Sequence, residues 1–87
     1  PFGQANPEPT FGLRTVRLAE PPHPFGKGNF RFRLPTGQGR SIAGIAWGFQ
    51  QAPEPGQAID VALRFAWNHW RGRRSPQVTL VDWKKAP

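Results

Sequence analysis

Between Ala58 and Trp83 the chain reads AIDVALRFAWNHWRGRRSPQVTLVDW, two alternating apolar and polar stretches around a basic centre. In the first, Ile59, Val61, Leu63, Phe65 and Trp67 alternate with Asp60, Ala62, Arg64, Ala66 and Asn68. A period of two sends successive side chains to opposite sides of a strand, so the large apolar group at each odd position is expected on one buried face, Trp67 included. In the second stretch Val78 and Leu80 share a face, and Gln77 and Thr79 share the other. The residues between, His69 to Arg74, are expected to form the loop of a long hairpin, with Gly72 free to take a positive φ.

Upstream, the cleanest alternation is Asn29–Pro35, with Phe30, Phe32 and Leu34 on one side and Arg31 and Arg33 on the other. Arg14–Glu20 reads as an earlier strand, ended by Pro21-Pro22, and the breaker-rich connection over 21–28 carries Lys27. Ser41–Trp47 is a further strand, but Ile42, Ala43, Ile45, Ala46 and Trp47 do not alternate, which leaves its buried face open. Gly44 within it marks a bulge or a close approach of backbones. Gly48–Gly56 allows at most one short helical turn before Pro53 and Pro55. Residues 1–13 read as a proline-rich lead-in from a preceding domain, braced by Phe2 and Phe11 on the body formed by residues 14–87.

Strands without any sustained helical period predict an all-β domain. An open five-stranded sheet would leave its edges unpaired, so a closed or nearly closed barrel is expected. The pattern fits a five-stranded, Greek-key barrel of the OB-fold type, with an SH3-like barrel or small sandwich as the alternative.

Charge narrows the function. Twelve Lys and Arg against five Asp and Glu give a formal +7 in 87 residues. Such an excess favours a polyanionic partner through counterion release from phosphates. The chain has no cysteine, which removes disulfides and thiolate metal sites and is compatible with a reducing compartment. No apolar run reaches the ~20 residues a membrane helix needs. The carboxylates Glu8, Glu20, Glu54, Asp60 and Asp82 are scattered, and His23 and His69 sit in loops of different halves. Ser41 and Ser75 lack the context of a nucleophile elbow, so neither a catalytic nor a metal site is expected in these residues. The start at Pro1 and the lack of methionine read as a piece of a longer protein.

Two segments resemble a known family. PFGQANPEPTF at the start is similar to the Pro-Phe-Gly-x-Gly-Asn-Pro-Glu-Pro lead-in of the C-terminal OB-fold region of RecJ, the bacterial single-strand-specific DNA exonuclease. It matches at Pro1, Phe2, Gly3, Asn6, Pro7, Glu8 and Pro9, with Ala5 in place of the usual glycine. Later, Gly72, Arg73, Arg74, Ser75, Gln77 and Asp82 match the family's Trp/Tyr-x-Gly-Arg-Arg-Ser-x-Gln stretch and the strand after it. The resemblance implies a cytoplasmic bacterial parent that degrades single-stranded DNA from its 5′ end. It also implies Mn²⁺ or Mg²⁺ held by aspartates and histidines of catalytic domains N-terminal to this region. For these residues it implies no cofactor of their own, and as partners single-stranded DNA and the parent's other domains, with the chain a monomer.

Single-strand binding needs cations for phosphates and flat side chains for bases. On an OB barrel the usual surface is the second and third strands with their flanking loops. That selects Arg31 and Arg33 on the strand, Lys27 in one loop, and Trp70, Arg71, Arg73 and Arg74 in the other. Trp70 has a second reading, as a cap on the barrel end, and Trp47 and Trp83 remain open between packing and stacking. Arg31 and Arg33 read equally as a solvated strand face. The alternative function is a structural or protein-interaction barrel that positions the nuclease core or docks a replication or repair partner.

Overall fold

A computed structural model describes residues 9–87. They form β1 (Thr10–Val16), β2 (His23–Phe25), β3 (Asn29–Gly37), β4 (Arg40–Ala46), β5 (Ile59–Trp70) and β6 (Arg73–Lys85). All six lie in one mixed sheet, in the order β1-β5-β6-β4-β3-β2. The one parallel pairing joins β4 to β6. This all-β arrangement is consistent with an OB-fold, and no helix occurs among the described residues.

Two expectations are corrected. There are six strands rather than five, and the sheet is not closed by hydrogen bonds. Both differences have one cause. The strand expected at Arg14–Glu20 is displaced to Thr10–Val16, and the chain next pairs only at His23–Phe25. The piece before the break pairs with β5 and the piece after it with β3, at opposite edges of the sheet. Between them Pro21 and Pro22 have no N–H to offer a ladder. Leu18, in the break, still reaches the core, and its carbonyl accepts a hydrogen bond from Gly56 N at 2.8 Å.

Two bulges set which side chains face inward. In β1 an extra residue lies between Leu13 and Val16, where Thr15 takes a φ of 57° and its N–H donates to Asp60 Oδ1 at 3.0 Å. A β-branched residue in that region is strained by about 1–3 kcal/mol, and the charge-assisted hydrogen bond offsets part of this. In β6, Ala62 pairs with Asp82 but Leu63 pairs with Leu80, so Val81 is the extra residue. The bulge shifts the phase of the strand, so that Trp83 on one side of it and Leu80 and Val78 on the other all turn to the core.

The core is Leu18, Phe30, Phe32, Leu34, Ala46, Ile59, Val61, Leu63, Val78 and Leu80. Phe30, Phe32 and Leu34 point inward as their alternation predicts. The open question in β4 is settled by Gly44, which lies opposite Phe32 in the ladder. A Cβ at Gly44 would overlap the Phe32 ring, so only glycine lets that ring lie across the strand. Ile42, Gly44 and Ala46 therefore face inward, and Ser41, Ala43, Ile45 and Trp47 outward.

The hairpin departs furthest from expectation. Its strands run on to Trp70 and from Arg73, so the six-residue loop shrinks to Arg71-Gly72. Both turn residues have positive φ, 52° and 74°, the geometry of a type I′ hairpin turn. Phe65 and Trp67 continue the inward face of β5 past the end of the core, where they are 41% and 46% exposed. Trp67, expected to be buried, is not.

Candidate nucleic-acid interface

The outward face of β3, β4, β6 and β5 can be read row by row from the ladders. One row runs Arg31, Ile45, Thr79, Arg64, and the next Arg33, Ala43, Gln77, Ala66. Further along the hairpin, Asn68 pairs with Ser75 and Trp70 with Arg73 on the same face. The middle of this surface is occupied by small or neutral side chains. One flank carries the β3 arginines, and the other carries amides and hydroxyls between Arg64 and Arg73.

The arrangement leaves a cleft of about 350 Å³ whose lining includes Arg31, Arg33, Ala43, Asn68, Ser75 and Gln77, with Glu20 and His23 from the broken strand at one side. The β3 arginines are oriented. Arg33 donates from Nε to Ser41 Oγ at 3.0 Å and from Nη2 to the Ser41 carbonyl at 3.1 Å. Arg31 lies over the Phe25 ring at 4.4 Å, and Phe25 meets Trp47 in a T-shaped contact at 5.5 Å. None of these contacts neutralises the guanidinium charge, which stays available to an anion.

Beyond the cleft, each end of this face carries an exposed indole. At one end the turn Gly26-Lys27-Gly28 is tied to the segment after β4, through Phe49 N to Gly28 O at 2.7 Å and Gly48 N to Asn29 Oδ1 at 2.9 Å. The turn carrying exposed Lys27 thus lies against Gly48 and Phe49, which follow Trp47 in the chain, and Trp47 is 57% exposed. The opposite end is set by β6, which runs parallel to β4, so its start and the hairpin turn lie beyond the start of β4. Trp70 there is 66% exposed, with Arg71 over one face of the indole at 4.5 Å. Trp70 does not cap the core. Trp83 does pack, half-buried against the core, with Nε1 donating to the Gln51 carbonyl at 3.1 Å.

Of the residues selected from sequence, Arg31, Arg33, Trp70 and Arg73 come together along this one face, with Lys27 in the turn that leads into β3. Arg71 sits in the turn itself. Arg74 separates from them, because it pairs with His69 on the hairpin's inward side and lies over Trp67 at 4.4 Å. Trp47, Phe25, Arg64, Asn68 and Gln77 belong to the face but were not selected. For Trp47 the missing information was the phase of β4, which two alanines and a glycine leave unwritten.

In a comparison with protein families, residues 1–82 match the RecJ OB domain. The chain belongs to that family. The match runs from the proline-rich lead-in, of which Pro1–Glu8 lie outside the described residues, to Asp82 in β6. A search of curated proteins returns no significant match. Membership makes this RecJ OB domain a nucleic-acid-binding type of module from a multidomain parent. Among its described residues no three His, Cys, Asp or Glu side chains gather in a group that could hold a metal ion. Among them also, no helix is long and apolar enough to cross a membrane.

Proposed function

We propose that this RecJ OB domain binds single-stranded DNA and guides it to the catalytic core of a 5′→3′ single-strand-specific exonuclease in the bacterial cytoplasm. The hydrolytic chemistry, with its Mn²⁺ or Mg²⁺, belongs in this reading to the parent's DHH-type domains. The observation that carries the proposal is the outward face. Arg31, Arg33, Lys27 and Arg73 offer charge to phosphates, while exposed indoles at both ends offer flat surfaces to bases. Duplex DNA would have its bases stacked on one another and unable to use those indoles, whereas a single strand can.

Fluorescence anisotropy of the chain with labelled oligo-dT at several salt concentrations tests it. Neutralising about four phosphates at roughly −0.7 each predicts a log–log salt slope of about −3. Absence of binding even at low salt would leave the basic face to the parent's own acidic surfaces and the domain to a scaffold role. A protein-docking reading has one observation of its own in favour, the T-shaped Phe65–Trp67 pair at 5.5 Å, exposed on the other side of the hairpin.

A further inference from the structure

We infer that the bound strand is held in a fixed register between two stacking platforms, Trp47 and Trp70, and that Trp47 is a binding residue in its own right. This rests on the single-strand reading above and adds to it a length and two contact points.

The two indoles face the same side of the sheet. Trp47 follows the outward residues Ala43 and Ile45 at the β4 period, and Trp70 pairs with Arg73 on the outward side of the hairpin. Each makes its aromatic or cationic contact in a way that leaves ring surface open. Trp47 touches Phe25 in a T-shape, Trp70 is covered by Arg71 on one face, and more than half of each indole is exposed. Cations accompany both: the Lys27 turn is bonded to the segment that follows Trp47, and Arg73 lies opposite Trp70 in the ladder. Isolated surface tryptophans need no explanation, but two on one face, at strand positions on either side of the arginine-lined cleft, match what a polynucleotide offers at intervals.

Their separation follows from register. Arg73 lies four residues before Gln77, which is opposite Ala43, and Trp47 lies four residues after Ala43. Eight strand positions at roughly 3.3 Å each span about 26 Å, within the 35 × 31 × 29 Å extent of the domain. A strand at a duplex-like spacing of about 3.4 Å per nucleotide would bridge that distance with about eight nucleotides, and a more extended strand with fewer. The middle of the bridge passes over Ala43, where a side chain too small to obstruct the floor leaves depth for the backbone beside Arg31 and Arg33.

The test is affinity against length. For the unaltered chain, oligo-dT affinity should step upward once the oligomer bridges both indoles, at about five to eight nucleotides, within the range of ~4–16 known for OB domains. Either Trp47→Ala or Trp70→Ala should abolish the step and weaken a decamer roughly tenfold, the effect of one lost stack. The same variants should alter trimer binding by no more than about twofold, since a trimer uses whichever indole remains. Trp47→Phe, which keeps a ring against Phe25, should recover most of the loss. A decamer with one abasic residue walked along it should show two sensitive positions, one silenced by each alanine variant. If the unaltered chain binds no oligomer, the single-strand reading and this inference fall together. If it binds without a length step, or Trp47→Ala binds decamer as well as the unaltered chain, the register is overturned while the single-strand reading stands.

Discussion

The two halves of the β5–β6 hairpin share a sequence pattern and have opposite fates. At the base, Ile59, Val61 and Leu63 alternate with polar residues and are buried. At the tip, Phe65 and Trp67 continue the same alternation and are exposed. What differs is cover. β5 has 12 residues and β6 13, whereas their neighbours β1 and β4 have seven each. The described part of β1 pairs with β5 only as far as Arg64, so Phe65 and Trp67 lie past that neighbour, although β4 still flanks the row of Phe65 through Val78. Periodicity records which way a side chain points; only the length of neighbouring strands decides whether anything meets it.

The sharpest test of this contrast lies at the base. Leu63 is fully buried, and Leu63→Ala should cost about 2–5 kcal/mol of stability through lost burial and the cavity left behind. A denaturant titration would measure it, and a loss under 1 kcal/mol would deny the base its role as the core. At the tip, Trp67→Ala removes a larger side chain but should cost only about 1–2 kcal/mol, the combined worth of an exposed cation–π and aromatic contact. A loss comparable to that of Leu63→Ala would mean that the tip is covered after all. The finest comparison sets neighbours in sequence against each other. Arg73→Ala, on the outward side, should reduce the magnitude of the oligo-dT salt slope by about 0.7, one phosphate contact. Arg74→Ala, on the inward side over Trp67, should leave the slope unchanged. Equal effects from the two would erase the distinction between the faces.

Much of the fold is legible in the sequence, and the exceptions have particular physical causes. In β3 the large Phe30, Phe32 and Leu34 against Arg31 and Arg33 leave one solution. In β4 the alternation is muted by Ala43, Gly44 and Ala46, whose small side chains score alike on either face, and the phase is fixed only by the Phe32 ring over Gly44. The Val81 bulge has a trace in the sequence, since Leu80 and Trp83 are three apart and a regular strand cannot turn both inward. The break in the first strand was marked by Pro21-Pro22, but which edge each piece would join depends on long-range pairing that local pattern does not carry. At the site, the cations were visible as a basic cluster, yet a loop of six residues and a turn of two distribute Arg73 and Arg74 differently. Once the turn is Arg71-Gly72, strand parity alone puts one outward and the other inward.

The broken first strand also bears on how the chain assembles. β5 and β6 are joined by a two-residue turn, so their ladder closes at small entropic cost and needs no distant partner. Among the described residues β1 is held along one edge, by residues far along the chain, Thr10 by Arg64 and Val16 by Ile59. Its docking must await the strand it docks on, and topologies dominated by such distant pairings fold slowly, on a scale of roughly milliseconds to seconds. The expected order is hairpin first and β1 last. In the folded domain the same logic runs backward: backbone amides of β1 exchange with solvent ahead of those in β5 and β6, by a local opening that leaves the long hairpin intact.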